Sequence, residues 1–303
     1  MPLALLKKYT PGVYGIFMAL PLELLAYYDT LDRPLSIDEI GADVCMPFVG
    51  KRDGYYYLFD REYLVPLRKE RERIAARKWR VMREVMFWMR MVPFVRVVFA
   101  SGSLSINNTD ELSDLDVVIV ARHGCIWTTR FLVAGLLALL GRRRKHEDLV
   151  APDKICPNHF ITDQSLHIPF HSMYTAQLYA NLVPLMAVDH DDLKKFHEAN
   201  SWVLGFVGRW KMREDQIVQQ GLSFAIQWMG ELILGLFGRK IENAVARYQK
   251  RRIGNKTNNI YLGGHLTFTD NALAFHSRSS ESKILAQYEN NKSKLASRPR
   301  RSN

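Results

Sequence analysis

Two aspartates one residue apart, Asp114 and Asp116, follow a Gly-Ser pair, Gly102-Ser103, after ten intervening residues and open the apolar run Val117-Val118-Ile119-Val120. Residues two apart in a strand project to the same face. The spacing therefore predicts two carboxylates side by side at the start of a strand. Such carboxylates repel each other unless a cation lies between them, and the hard, oxygen-preferring cation that also binds phosphates is Mg²⁺. The Gly-Ser pair suits the other half of such chemistry. Glycine lets a backbone approach a ligand closely, and the free N–H groups of a helix start favour phosphate. The Ser103 hydroxyl adds one more hydrogen-bond donor. Together these residues predict a metal-assisted triphosphate site.

The elements that must position them are legible on either side. Arg96 to Ala100 is a short β-rich run that Ser101-Gly102-Ser103 breaks, and a short helix is expected from Ser103. A strand over 115–121, a helix over 126–141 and a strand over 154–161 (Lys-Ile-Cys-Pro-Asn-His-Phe-Ile) complete a small mixed α/β sheet. The motif is expected at the carboxyl edge of that sheet, a common place for phosphate sites.

The Gly-Ser, ten-residue, Asp-x-Asp pattern resembles that of the nucleotidyltransferases of the DNA polymerase beta superfamily. The resemblance covers about a quarter of the chain, roughly residues 93 to 165. More broadly, the chain resembles uncharacterised bacterial multi-domain proteins that carry this domain between helical or winged-helix flanks. The resemblance implies that Gly102 and Ser103 bind the phosphates of a nucleoside triphosphate. It also implies that Asp114 and Asp116 hold Mg²⁺ as the catalytic pair. Active members of the superfamily add a third carboxylate on a neighbouring strand. Here the interior of the 154–161 strand has no acid, and Asn158 stands at that position. Asp153 and Asp163 flank the strand, and Glu147 and Asp148 precede it. An amide ligates a metal through its carbonyl oxygen but takes no proton at neutral pH. Two readings follow. One is an Mg²⁺-dependent nucleotidyltransferase that moves a nucleoside monophosphate to an acceptor hydroxyl. The other is a catalytically weakened nucleotide- or nucleic-acid-binding regulator on the same fold.

The chain has 303 residues, room for two or three domains. A formal net charge of +11 favours an anionic partner: nucleic acid, a triphosphate or an acidic membrane surface. Much of the excess sits in Arg142-Arg143-Arg144-Lys145 and in the tail from Lys292 to Arg301, both of which read as solvated faces. Three scattered cysteines without a Cys-x-x-Cys pair suit a reduced, cytoplasmic chain. Neither of the longest apolar runs, Phe131 to Leu140 and Ile226 to Phe237, is long enough to span a bilayer, and both are expected as buried helices, with an interfacial role as the alternative for the second because Trp228 and Phe237 flank it ahead of Arg239-Lys240.

The expected division is 1–92, 93–168 and 169–303. The first part holds a helix over 12–29, the capping-box sequence Ser36-Ile37-Asp38-Glu39, and a hairpin turning at Lys51-Arg52-Asp53-Gly54. This order suggests a winged-helix module whose basic wing tip, like the basic tail, offers contacts to nucleic acid. A long helix from Glu62 to Met91 links it to the nucleotidyltransferase domain. The last part reads as helical throughout. The histidines at 159, 167 and 171 are set aside as a metal site because Pro169 interrupts them. The acidic run Asp189 to Asp192 reads as a helix N-terminus.

Overall fold

A computed structural model of the chain describes residues 13–145, 148, 150–218, 221–257, 266–275 and 280–297. The chain closes into two compact units. One combines Met1–Glu70 with Ser280–Asn303, and the other is Arg71–Ser279.

The first unit holds α1 (Val13–Asp29), β1 (Leu35–Ser36), α2 (Ile37–Ile40) and the hairpin of β2 (Val49–Arg52) and β3 (Tyr55–Leu58). Ser36 caps α2 and Glu39 reaches back to the Ser36 N–H, forming the capping box its sequence predicts. The strands pair in the order β1-β3-β2, all antiparallel. Asp53 and Gly54 both take positive φ, as a two-residue hairpin turn requires. The expected wing tip is charge-compensated, since Lys51 pairs with Asp43 at 3.4 Å and Arg52 with Glu62 at 2.6 Å. Residues 41–48 hold bends and turns where a second helix of a winged helix would lie. The chain's last helix, Glu281–Ser297, belongs to this unit: Asn291 donates to the Ala26 carbonyl and to Asp29, and Tyr288 packs edge-on against Tyr27. Lys292 and Lys294 of the basic tail lie on this helix, whereas Arg298, Arg300 and Arg301 lie outside the described residues.

The helix α3 (Leu64–Met89) runs from the first unit into the second. Then follow β4 (Val95–Ala100), α4 (Gly102–Ser105), β5 (Leu115–Ala121), α5 (Ile126–Leu139) and β6 (Ile155–Thr162). The remainder comprises α6 (Met173–Ala180), β7 (Val183–Ala187), α7 (His190–Ala199), α8 (Leu204–Val207), α9 (Ser223–Gly235), α10 (Gly238–Thr257), β8 (Leu266–Phe268) and β9 (Ala272–Phe275). The six strands form one sheet in the order β7-β4-β5-β6-β9-β8, with β5 and β6 parallel and every other pair antiparallel.

Strand alternation supplies two cores. Val117, Ile119 and Ala121 of β5 join Trp79, Met82 and Met86 of α3 and Val133 and Leu137 of α5. Val118 and Val120 join Tyr179 of α6 and Phe196 of α7 on the opposite side.

Three expectations need correction. The region after residue 169 is not helical throughout, because β7 and the β8–β9 hairpin complete both edges of the sheet. Pro184 lies within β7, where an edge strand tolerates proline. The division 1–92, 93–168 and 169–303 therefore differs from the two units, since the sheet draws strands from both sides of residue 168 and the last helix packs on α1. Finally, the run Ile226 to Phe237 is not buried: Trp228, Leu232 and Ile233 of α9 are each more than half exposed.

Candidate active site

Asp114 and Asp116 sit at the start of β5, both partly exposed and on the face that Val118 and Val120 continue. One ligand atom each from Asp114, Asp116 and Cys156 lie within 4.8 Å of one another, the one such group of acidic, Cys or His ligands among the described residues. The site lies where the carboxyl end of β4 meets the amino ends of β5 and β6, rather than at a common carboxyl edge. The antiparallel β4–β5 pairing imposes this arrangement, with Ser101 N–H donating to the Asp116 carbonyl at 3.0 Å.

Gly102 is the first residue of α4 and has φ +66°. A Cβ built there would stand 2.6 Å from Asp116 Oδ2. Glycine is thus required twice, by the left-handed backbone and by the close approach of the carboxylate. Ser103 is partly exposed in the same turn, and its carbonyl accepts from Asn108 N–H at 2.8 Å.

Asn158 reaches the site through an irregularity in β6. Cys156 pairs with Asp116, but the next pair is His159 with Val118, so β6 carries one residue more than β5 between them. Pro157 sits in this bulge, where a residue without an N–H is tolerated inside a sheet. The bulge aims Asn158 at the carboxylates, and its Nδ2 donates to Asp116 Oδ1 at 3.0 Å. His159 beyond the bulge turns to the α6 side, where its ring lies 2.9 Å from the Tyr179 hydroxyl.

Among the other acids weighed for the third position, Asp153, Asp163 and Asp148 are engaged elsewhere. Asp153 accepts from Lys78 Nζ at 2.8 Å, and Asp163 accepts from His123 N–H at the far ends of β5 and β6. Glu147 lies outside the described residues, and Asp148 is bonded to Lys145 N–H at 2.9 Å.

Three residues of the site escaped the sequence reading. Arg144 pairs with Asp114 through its guanidinium and lies 4.0 Å from Cys156 Sγ. Its place follows from backbone pairing: Ile155 N–H donates to the Arg142 carbonyl at 2.7 Å, and Arg144 N–H to the Ile155 carbonyl at 3.0 Å. Residues 142–144 thus flank the start of β6, and Arg144 is not part of a solvated face. Cys156 is the second, and its strand register beside Asn158 was the available signal. Lys78 is the third. It falls on the apolar stripe Ala75, Trp79, Met82 of α3, and its side chain is fully buried. Its Nζ donates to Asp153, to the Ser113 carbonyl at 2.8 Å and to the Glu111 carbonyl at 3.3 Å. With Trp79 donating to Asn107 at 2.8 Å, α3 anchors the loop that delivers Asp114.

Burial, the neighbouring Asp114 charge and the resulting repulsion push the Asp116 carboxyl up to about 7, against the pull of Arg144 and Asn158. Burial and the same two carboxylates push the Cys156 thiol well above its ordinary range. Among the described residues the pair has one cationic partner, Arg144, on Asp114. Two partly exposed carboxylates this close together suit a hard divalent cation, while the thiol is a softer donor beside them.

The acidic run at the start of α7 acts as a cap, with Asp189 accepting from Asp191 N–H at 2.9 Å. His171 stacks on Trp202 at 4.1 Å, and His159, His167 and His171 form no ligand cluster among the described residues. No helix among the described residues is long and apolar enough to cross a membrane. Comparison of the chain with protein families, with curated proteins and with solved structures finds no match in any of the three.

Proposed function

We propose that this chain is an Mg²⁺-dependent nucleotidyltransferase acting on a nucleoside triphosphate. The observation that carries the reading is the proximity of the partly exposed Asp114 and Asp116 carboxylates, within 4.8 Å of each other, with Asp116 packed against the Gly102 turn. Asp114 and Asp116 are the residues that would hold Mg²⁺. When bound, the ion supplies charge neutralisation for the triphosphate. Ser103 and the backbone around Gly102 hold the terminal phosphates. In the reaction an acceptor hydroxyl oxygen bonds to the α phosphorus, its proton passes to water, the bond to the bridging β-phosphate oxygen breaks, and pyrophosphate leaves. The chain's own contribution is positioning: Lys78 fixes the loop before Asp114, and the bulge at Pro157 fixes Asn158.

A second reading is favoured by one contact, the hydrogen bond from Asn158 to Asp116. An amide occupies the third position and accepts no proton from the acceptor hydroxyl. On this reading the chain binds a triphosphate and turns it over slowly or not at all. Pyrophosphate release with Mg²⁺ and each nucleoside triphosphate, measured beside equilibrium binding of a non-hydrolysable triphosphate, separates the two. Release supports the transferase, and binding without release supports the second reading. Absence of both, at a concentration where the protein is folded, overturns the site itself.

A further inference from the structure

The helix α9 is inside out. Its polar residues face the protein: Ser223 and Gln227 are buried and Glu231 is largely so. Gln227 Nε2 donates to the Val92 carbonyl at 3.1 Å and to the Val95 carbonyl at 2.8 Å. Glu231 accepts from Phe94 N–H at 2.9 Å and from both terminal nitrogens of Arg96 at 2.7 and 2.9 Å. Gly230 lies over Pro93, where a Cβ would stand 2.6 Å from the proline ring. These contacts fix the rotation of the helix, because the main-chain groups at the start of β4 take their partners from it.

The apolar residues consequently point outward. Phe224, Trp228, Met229, Leu232, Ile233 and Leu236 are 47–74% exposed. Phe87 and Trp88, just before the Val92 carbonyl that Gln227 holds, are 49% and 48% exposed. The row of exposed apolar side chains along α9 is the kind of face that marks an interaction surface.

Charge selects the partner. Directly after α9, α10 presents Arg239, Lys240, Arg247, Arg251 and Arg252 as exposed cations. The two carboxylates between 221 and 257, Glu231 and Glu242, face inward, and Glu242 accepts from Trp127 N–H and Thr128 N–H at 2.9 Å each. A second copy seated on this face would bring cations against cations. An anionic bilayer surface satisfies both features, with Trp and aliphatic side chains at the acyl boundary and Arg and Lys at the headgroups. At 13 residues α9 is roughly 20 Å long, too short to cross the hydrocarbon core and suited to lying in its interface. We propose that the outward face of α9, with the basic start of α10, docks this chain on a membrane surface that carries anionic phospholipids.

The test is co-sedimentation of the full chain with vesicles of phosphatidylcholine and phosphatidylglycerol in equal parts, beside vesicles of phosphatidylcholine alone. Binding to the mixed vesicles is expected, weakening with salt and on phosphatidylcholine alone. Arg239→Glu with Lys240→Glu should lower the affinity by roughly tenfold or more. Trp228→Glu with Leu232→Glu should lower it at least as far, with circular dichroism and Tm unchanged because both side chains are exposed. Quenching of tryptophan fluorescence by nitroxide-labelled lipid should fall in Trp228→Phe. Wild-type protein that stays in the supernatant overturns the proposal, as does equal binding by the Trp228→Glu, Leu232→Glu variant. A dimer in sedimentation velocity that Leu232→Glu dissociates, without vesicle binding, overturns it in favour of a second copy.

Discussion

The Asn158 amide and the Asp116 carboxylate are joined by a 3.0 Å hydrogen bond across neighbouring parallel strands, 42 residues apart in the chain. An uncharged donor thus faces the carboxylate that repulsion and burial have made hardest to ionise. Replacing the amide by an acid adds a charged oxygen ligand. Asn158→Asp should raise Mg²⁺ affinity by roughly tenfold, read by calorimetric titration, and should increase pyrophosphate release. Without Mg²⁺ the variant should lose stability at neutral pH, because three carboxylates then stand together with one guanidinium among them.

Asp116 makes stability depend on pH. Its folded value of about 7 lies above the ordinary carboxylate value of 3.8. Between these values the unfolded chain has released the proton that the folded chain retains, so stability falls as pH rises from about 4 to about 7 and is level above. Asp116→Asn removes this slope. It should be more stable than wild type at pH 8, by on the order of 4 kcal/mol in denaturant titration, and the difference should vanish near pH 4. The same variant should lose Mg²⁺-dependent triphosphate binding.

Arg144 competes with a cation for Asp114. Arg144→Ala should raise Mg²⁺ affinity in the absence of nucleotide by roughly tenfold, since an attractive positive charge is removed from the ligand. Unchanged Mg²⁺ affinity in this variant would show that the guanidinium does not hold Asp114 in solution.

Gly102 and Ser103 separate structural from ligand effects. Gly102→Ala places a Cβ against Asp116 at positive φ and should cost on the order of 1–3 kcal/mol of stability in denaturant titration. Ser103→Ala should leave Tm nearly unchanged and weaken triphosphate binding by about 1–2 kcal/mol, one charge-assisted hydrogen bond.

Lys78 should act on the site at a distance. Lys78→Met removes a donor from the Ser113 and Glu111 carbonyls and leaves the partly exposed Asp153 carboxylate without its cation. A stability loss on the order of 2–3 kcal/mol is expected. Triphosphate affinity should fall with it, because the loop before Asp114 is released.

The sequence by itself determined what local chemistry controls. The Gly-Ser break, the strand over 115–121, the capping box at Ser36 and the Asp53-Gly54 turn follow from backbone preferences and periodicity within a few residues. The shared face of Asp114 and Asp116 follows from the two-residue repeat of a strand. Tertiary structure decided what depends on pairing between distant segments. The β6 bulge that aims Asn158 exists only against β5, and Arg144 reaches Asp114 only because residues 142–144 flank β6. Lys78 is buried because carbonyls and Asp153 from two other segments meet it there. The orientation of α9 was decided in the same way. Its composition predicts a buried helix, but unpaired main-chain groups at the start of β4 draw Gln227 and Glu231 inward and turn the apolar face out.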